Sequence, residues 1–194
     1  MNILFLGPEC ISIQRALERS GHHFWRTEEH ITPEFIIKKN FTFAISYRYR
    51  KIIKKDIIEV FNGRLINLHI SLLPWNKGAD PNLWSWLENT PKGVTIHKID
   101  EGLDTGDILV QQQIFFDEEK ETLKTSYEKL SDAIENLFIN NMKKILTSSI
   151  IGKMQQEKGT FHFSKDKEPY QELYNKLGWD TPVRNLIGKA EKKP

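Results

Sequence analysis

Over residues 2–70 the chain alternates short apolar runs with amphipathic stretches, and that rhythm limits the folds open to it more than any other feature. "NILFLG" (2–7) has the unbroken hydrophobicity of a strand covered on both faces. "ISIQRALERSG" places Ile11, Ile13, Ala16 and Leu17 on one helical stripe and stops at Gly21. "HFWRT" suggests a second strand. "TPEFIIKKN" opens a helix with Thr32 in the capping position and Pro33 at the first helical position. "FTFAISYRY" (41–49) is rich in strand formers, "KKDIIEVFNG" (54–63) reads as a short helix closed by Gly63, and "LINLHI" follows as another strand. Strands alternating with helices in this way predict an α/β protein with a mostly parallel sheet flanked by helices. Ligands of such sheets bind at the carboxyl ends of the strands.

Further on, "KGVTIHKI" (92–99) and "DILVQQQIFF" (107–116) predict two strands joined by "DEGLDTG". Leu123, Tyr127, Leu130, Ile134, Leu137, Phe138 and Ile145 recur at the spacing of a long amphipathic helix over 121–149, broken at Gly152. The remainder is more polar, with aromatics at Phe161, Phe163, Tyr170, Tyr174 and Trp179. We therefore expect a main domain at 1–150, a C-terminal appendage at 151–194 packed on it, and a frayed end at "GKAEKKP". Lys and Arg total 28 against 26 for Asp and Glu, a net charge of +2, so no nucleic-acid partner is expected. The single cysteine, Cys10, excludes an internal disulfide or a thiolate metal cluster and suits a cytoplasmic protein. "MNILFLG" lacks the basic start of a signal peptide, and no apolar run has the length of a membrane span.

The candidate chemistry centres on "LINLHISLLPWNKGADPNLW" (65–84). Asn67, His69 and Ser71 alternate with Ile66, Leu68, Ile70 and Leu72, so one strand face carries an amide, an imidazole and a hydroxyl. Alone, this pattern fits a half-exposed strand better than a row of reacting groups. "DEGLDTGD" (100–107) holds four carboxylates, but its glycines do not match a calcium loop, and no His spacing matches a metal site. His97 reads as a structural strand residue. Gly7-Pro8-Glu9-Cys10 lacks the glycine spacing of a dinucleotide fingerprint. Trp75, Trp84 and Trp86 lie in a stretch rich in Gly, Pro and Asn, which suits a binding lip.

Together these stretches resemble the 10-formyltetrahydrofolate-dependent formyltransferases. The pattern runs Asn67, His69, Ser71, Leu73, Pro74, Gly78, Pro81, Trp84, then Gly93 to His97, then Asp100, Gly102, Asp104 and Gly106. The resemblance covers roughly residues 1 to 150. It implies a Rossmann-like catalytic domain, 10-formyltetrahydrofolate as cosubstrate, no metal, and Asn67, His69 and Asp104 as the catalytic residues. In that chemistry an amine attacks the formyl carbon. The Asn67 amide and His69 would face the oxyanion, and Asp104 would pair with His69 and relay the amine's proton. Ser71 would support the loop. The resemblance also implies folate contacts from Lys51, Ile52, Ile53 and Ile58 on one side and from Asp100 and Gly102 on the other.

The amine is narrowed by departures from the family pattern. The Gly/Ser-rich phosphate loop of the purine-pathway members is absent after the first strand. The members that formylate initiator methionyl-tRNA carry a further, basic C-terminal domain, which this sequence does not lead us to expect. The expected acceptor is the primary amine of a nucleotide-linked sugar, held by Lys77, Asp80 and Trp84. Another small amine, methionyl-tRNA, or folate binding without turnover are the other readings. A homodimer is compatible with the sequence.

Overall fold

The computed structural model describes residues 1–156 and 159–190. Strand β1 (Asn2–Leu6) is buried throughout Ile3–Leu6, which explains its unbroken apolar sequence. It pairs in parallel with β2 (His23–Thr27) and with β3 (Phe43–Ser46), and β3 pairs in parallel with β4 (Leu65–His69). With β6 (Gly93–Lys98) and β7 (Ile108–Gln113), these form a six-stranded sheet in the order β2-β1-β3-β4-β6-β7. Parallel neighbours need crossovers, and three helices supply them: α1 (Ile11–Arg19), α2 (Pro33–Lys38) and α3 (Lys55–Phe61).

Local chemistry sets the helix ends. The Thr32 hydroxyl accepts from the Phe35 amide at 3.2 Å, and Pro33 opens α2. Asn62, in the left-handed region, closes α3 ahead of Gly63.

The contacts divide the chain into two units that are discontinuous in sequence. The first comprises Met1–His69, Ile96–Val110 and Glu135–Gln155. Its core includes Leu4, Leu6, Ile36, Phe41, Ala44, Ile57, Phe61 and Leu65. The second comprises Ile70–Thr95, Gln111–Ile134 and the segment from Gln156 onward. Its core gathers Leu83, Trp84, Trp86 and Leu87 with Leu123, Val183, Leu186 and Ala190.

Three features differ from the sequence expectation. The stretch read as a lip forms helix α4 (Pro81–Leu87), in which Asn82 to Leu87 are all buried, so Trp84 and Trp86 are core residues. Lys77 lies on a two-residue strand, β5 (Lys77–Gly78), paired in parallel with β8 (Phe161–His162) from the tail. Gly188 and Ala190 are not frayed: their amides donate to Trp86 and Leu87 carbonyls at 3.1 and 2.9 Å. The rest of the expected frayed end, 191–194, lies outside the described residues. The long amphipathic stripe does form a helix, α5 (Leu123–Leu146), followed in the tail by the 3-10 segment Ser164–Leu173. Among the described residues no helix is long and apolar enough to cross a membrane.

Candidate active site

Strand β4 follows β3 in the parallel series, and its polar row is largely covered: Asn67 is half-buried, His69 is 7% accessible and Ser71, just past the strand, 3%. His69 and Ser71 are therefore buried and not half-exposed. Burying an amide and an imidazole is unfavourable unless they are paired. The pairing comes from β6 and from the loop after it. Asn67 Nδ2 donates to Asp104 Oδ1 at 3.2 Å and lies 3.3 Å from His97 Nε2. His69 Nδ1 is 3.7 Å from Asp104 Oδ2, an ion-pair separation longer than a hydrogen bond. Catalytic hydrogen bonds in unliganded sites are often long and shorten when substrate binds. Ser71 donates to the Trp75 carbonyl, which fits a loop-supporting role.

His97, read from the sequence as structural, is part of this cluster. It is 1% exposed, and its Nε2 is 3.4 Å from Asp104 Oδ1. A carbonyl oxygen can only accept, so the 2.8 Å contact with Lys98 O commits Nδ1 to carrying a hydrogen. Nε2 then has two roles. In the neutral ring it accepts from the Asn67 amide, and in the imidazolium it donates to Asp104. The available signal was its place two residues after Thr95 on the same strand face, at the end of "GVTIH".

Asp104 is held by its loop in the left-handed region, at φ 51°. Asp100 Oδ1 accepts from Gly102 N at 3.0 Å and from Thr105 Oγ1 at 2.6 Å, folding the loop on itself. A Cβ on Gly102 would stand 2.0 Å from Thr105 Oγ1, so a side chain there would push the Thr105 hydroxyl off Asp100. Lys55 Nζ meets Glu101 Oε1 at 2.8 Å, joining this loop to the start of α3.

Gln155 is the second residue that sequence reasoning missed. Its Nε2 donates to Asp104 O at 2.8 Å and Gly106 O at 2.9 Å, bracing the backbone on both sides of Thr105. Nothing local in "GKMQQE" signals this, because the partners are some fifty residues away in sequence. Gln155→Ala is expected to cost about 1–2 kcal/mol of stability. It should lower kcat and speed amide hydrogen exchange at Thr105 and Gly106. Unchanged exchange there would mean the loop is held without Gln155.

The expected folate residues fall into two groups. Ile53 and Ile58 pack against the core of the first unit, which accounts for their burial by itself. Ile52 is 86% exposed, an apolar side chain that core packing does not explain. Lys51 is half-buried beside it, while Asp100 and Gly102 are exposed on the Asp104 loop.

The expected acceptor residues all belong to the second unit but do not share one surface. Asp80 lines a cavity of about 330 Å³. Trp84 does not offer an open face: its ring stacks on His162 at 3.6 Å and 7°, with Tyr170 against its edge. Lys77 sits half-buried on β5. Among the described residues, no cluster of three or more His, Cys, Asp or Glu side chains is placed to hold a metal ion.

After β1, where a phosphate loop would lie, a carboxylate occupies the space. Glu135 accepts from Ser12 Oγ at 2.5 Å and Tyr47 OH at 3.0 Å, and Arg48 Nη2 lies 3.8 Å from it.

In this mostly parallel α/β sheet an amide, two imidazoles and a carboxylate come together at β4, β6 and the loop after β6, an arrangement chemically able to stabilise developing negative charge and to move a proton. A family profile described as formyl transferase matches residues 27–142, and the chain belongs to that family. It is 50% identical to the formyltransferase PseJ from Anoxybacillus kamchatkensis, with a TM-score of 0.94 over 98% of this chain and 100% of that one. That protein was solved in complex with UDP-4,6-dideoxy-4-formamido-L-AltNAc and tetrahydrofolate. The chain is also 36% identical to a methionyl-tRNA formyltransferase from Thermodesulfovibrio yellowstonii, over 82% of this chain and 51% of that protein. It thus spans about half the length of the curated relatives it matches. A phosphoribosylglycinamide formyltransferase from Bacillus halodurans, 20% identical with a TM-score of 0.64 over 77% of this chain and 97% of that one, shares the fold.

Proposed function

We propose that this protein transfers the formyl group of 10-formyltetrahydrofolate to the primary amine of a nucleotide-linked amino sugar. The observation that carries the reading is the 50% identity to the Anoxybacillus formyltransferase across essentially the whole of both chains. The small net charge of +2 also suits a compact acceptor better than a long polyanion.

In this reading Asn67, His69 and Asp104 act on the reacting atoms. The amine nitrogen attacks the formyl carbon, and its carbonyl becomes a tetrahedral oxyanion. The Asn67 amide and His69 stabilise that charge as it develops. Asp104 accepts the ammonium proton, directly or through a water, and the departing folate nitrogen gains one. The products are a formamide and tetrahydrofolate. His97 would set how the Asn67 hydrogens are shared. When its Nε2 donates to Asp104, one amide hydrogen is released toward the oxyanion. Lys51, Ile52, Ile53 and Ile58, with the backbone at Asp100 and Gly102, would hold the pterin. The formyl-transfer chemistry would lie within residues 1–150, with the appendage from 151 steadying the Asp104 loop through Gln155. The buried free thiol of Cys10, with its pKa pushed up by burial, suits a reducing cytoplasm.

The match to methionyl-tRNA formyltransferases keeps a second acceptor in view. A competition assay with both acceptors at equal folate decides between them. Faster transfer to the UDP-linked amino sugar is expected. Faster transfer to charged initiator tRNA, with a steep loss of rate as salt rises, would overturn the acceptor reading and leave the formyl-transfer reading standing.

A further inference from the structure

Arg48, Tyr47 and Glu135 take no part in the formyl-transfer step, yet they are joined in a chain of hydrogen bonds with a fixed direction. Arg48 Nη2 donates to the Tyr47 hydroxyl oxygen at 2.7 Å, and its guanidinium lies 4.5 Å from the Tyr47 ring centroid. A hydroxyl has one hydrogen, and Tyr47 donates it to Glu135 Oε1 at 3.0 Å. Ser12 Oγ donates to the second carboxylate oxygen at 2.5 Å. Tyr47 is buried and the Glu135 side chain is 19% exposed, so each bond is strengthened by low surrounding polarity and polarises the next.

This chain of bonds holds a turn. Arg48 follows β3 with φ at 57°, in the left-handed region, where a Cβ crowds the next carbonyl. A residue other than glycine stays there only when its surroundings over-determine it, and such residues gather at ligand clamps. Beyond the turn, the Tyr49 hydroxyl donates to Glu29 O at 2.6 Å, and Tyr49 and Ile53 pack on the core of the first unit. Between these two anchors run Arg50, Lys51 and the nearly uncovered Ile52. The anchors fix the ends of the segment. The Arg48 turn fixes the direction in which it leaves β3. Ser12, Tyr47, Arg48, Glu135 and the segment itself all belong to the first unit.

Resting on the folate reading above, we infer that Glu135 is a positioning residue for the cosubstrate. Acting through Tyr47 and Arg48, it holds residues 49–53 in the conformation that receives the pterin. It acts on neither the reacting atoms nor the acceptor. Ligand affinity falls in proportion to the fraction of molecules that hold the binding-competent conformation. Loosening the turn therefore weakens folate binding and leaves the chemical step alone.

The test uses the full chain, with calorimetric titration of tetrahydrofolate, steady-state kinetics and a melting curve for each variant. Glu135→Ala is expected to raise the tetrahydrofolate Kd and the 10-formyltetrahydrofolate KM about tenfold, as when the segment is correctly placed one tenth of the time. At saturating folate, kcat and the acceptor KM should stay within about twofold. Tyr47→Phe keeps the ring beneath Arg48 and removes the hydroxyl, and it should raise the folate Kd in the same way. It also carries the test if Glu135→Ala does not fold. Glu135→Gln retains an oxygen for the Tyr47 hydroxyl and should recover most of the affinity. A purely structural role would lower the melting temperature and leave the folate Kd where it was. That result in folded Glu135→Ala and Tyr47→Phe proteins, or a fall in kcat without a change in folate Kd, would overturn the inference. Because the titration needs no acceptor, the two readings separate. Weakened folate binding in the variants upholds the positioning role even if the wild type formylates no amino sugar, which sinks the acceptor reading by itself. A wild type that binds no tetrahydrofolate would sink the folate reading and the role of Glu135 with it.

Discussion

His69→Ala is expected to lower kcat by about 10²–10³-fold, the usual consequence of removing one donor from an oxyanion site. The folate KM should change little, because charge on the formyl oxygen exists only in the transition state. Asn67→Ala should behave similarly. Asp104→Asn keeps the shape of the carboxylate but can no longer take the amine's proton, and it leaves His69 and His97 without an anionic neighbour at 3.7 and 3.4 Å. The two defects should not multiply: if the three residues act as a unit, the His69→Ala, Asp104→Asn double variant should be little worse than the more damaged single one. Steady-state kinetics with a melting curve for each variant checks this. His69 is buried, so a loss of rate counts only where the protein still melts cooperatively. Near-normal turnover of a folded His69→Ala protein would return Asn67, His69 and Ser71 to a merely structural row.

How far this site could be read from the chain depended on the range of the interactions. β1 was legible because a strand covered on both faces must be apolar throughout, and α2 because Thr32 and Pro33 act on the amides next to them. Asn67 and His69 stood out because a buried strand has little reason to carry polar groups on one face. Helix α4 was missed for the opposite reason. Its seven residues are too few for a helical period, and every one from Asn82 to Leu87 is buried, so no polar stripe marks its outer side. The same burial turned Trp84 from an expected acceptor contact into a core ring stacked on His162. β5 is two residues long and exists only because β8, more than eighty residues later, pairs with it. Gln155 and His97 escaped for a related reason. Each matters through Asp104, and no local rule names a partner that the fold alone brings near.

Gly106→Ala should be the most damaging single-methyl change in the Asp104 loop. A Cβ built on Gly106 stands 1.9 Å from the Lys98 carbonyl oxygen and 2.8 Å from its carbon. The obstacle is backbone, and that backbone is fixed, since the Lys98 amide donates to Asp107 O at 2.9 Å. Gly102→Ala is a useful contrast, because its Cβ would first meet the Thr105 hydroxyl, a side chain that can rotate away. Gly63→Ala is a second contrast: nothing lies within 4 Å, and the cost is limited to its left-handed backbone, about 1 kcal/mol. At Gly106 the strand ends around Lys98 and Asp107 must separate. Overpacking of this kind costs about 3 kcal/mol, and in a chain of this size that lowers the melting temperature by roughly 6–12 °C. The larger effect should be on rate. Asp104 lies two residues before Gly106, and Gln155 bonds both carbonyls, so displacing one displaces the other. A shift of about 1 Å in a reacting group can cost about 10²-fold. The expected order of kcat is wild type close to Gly63→Ala, then Gly102→Ala, then Gly106→Ala far below. A Gly106→Ala protein with normal turnover would show that the carboxylate need not be held where this loop holds it, and would remove Asp104 from the proposed proton path.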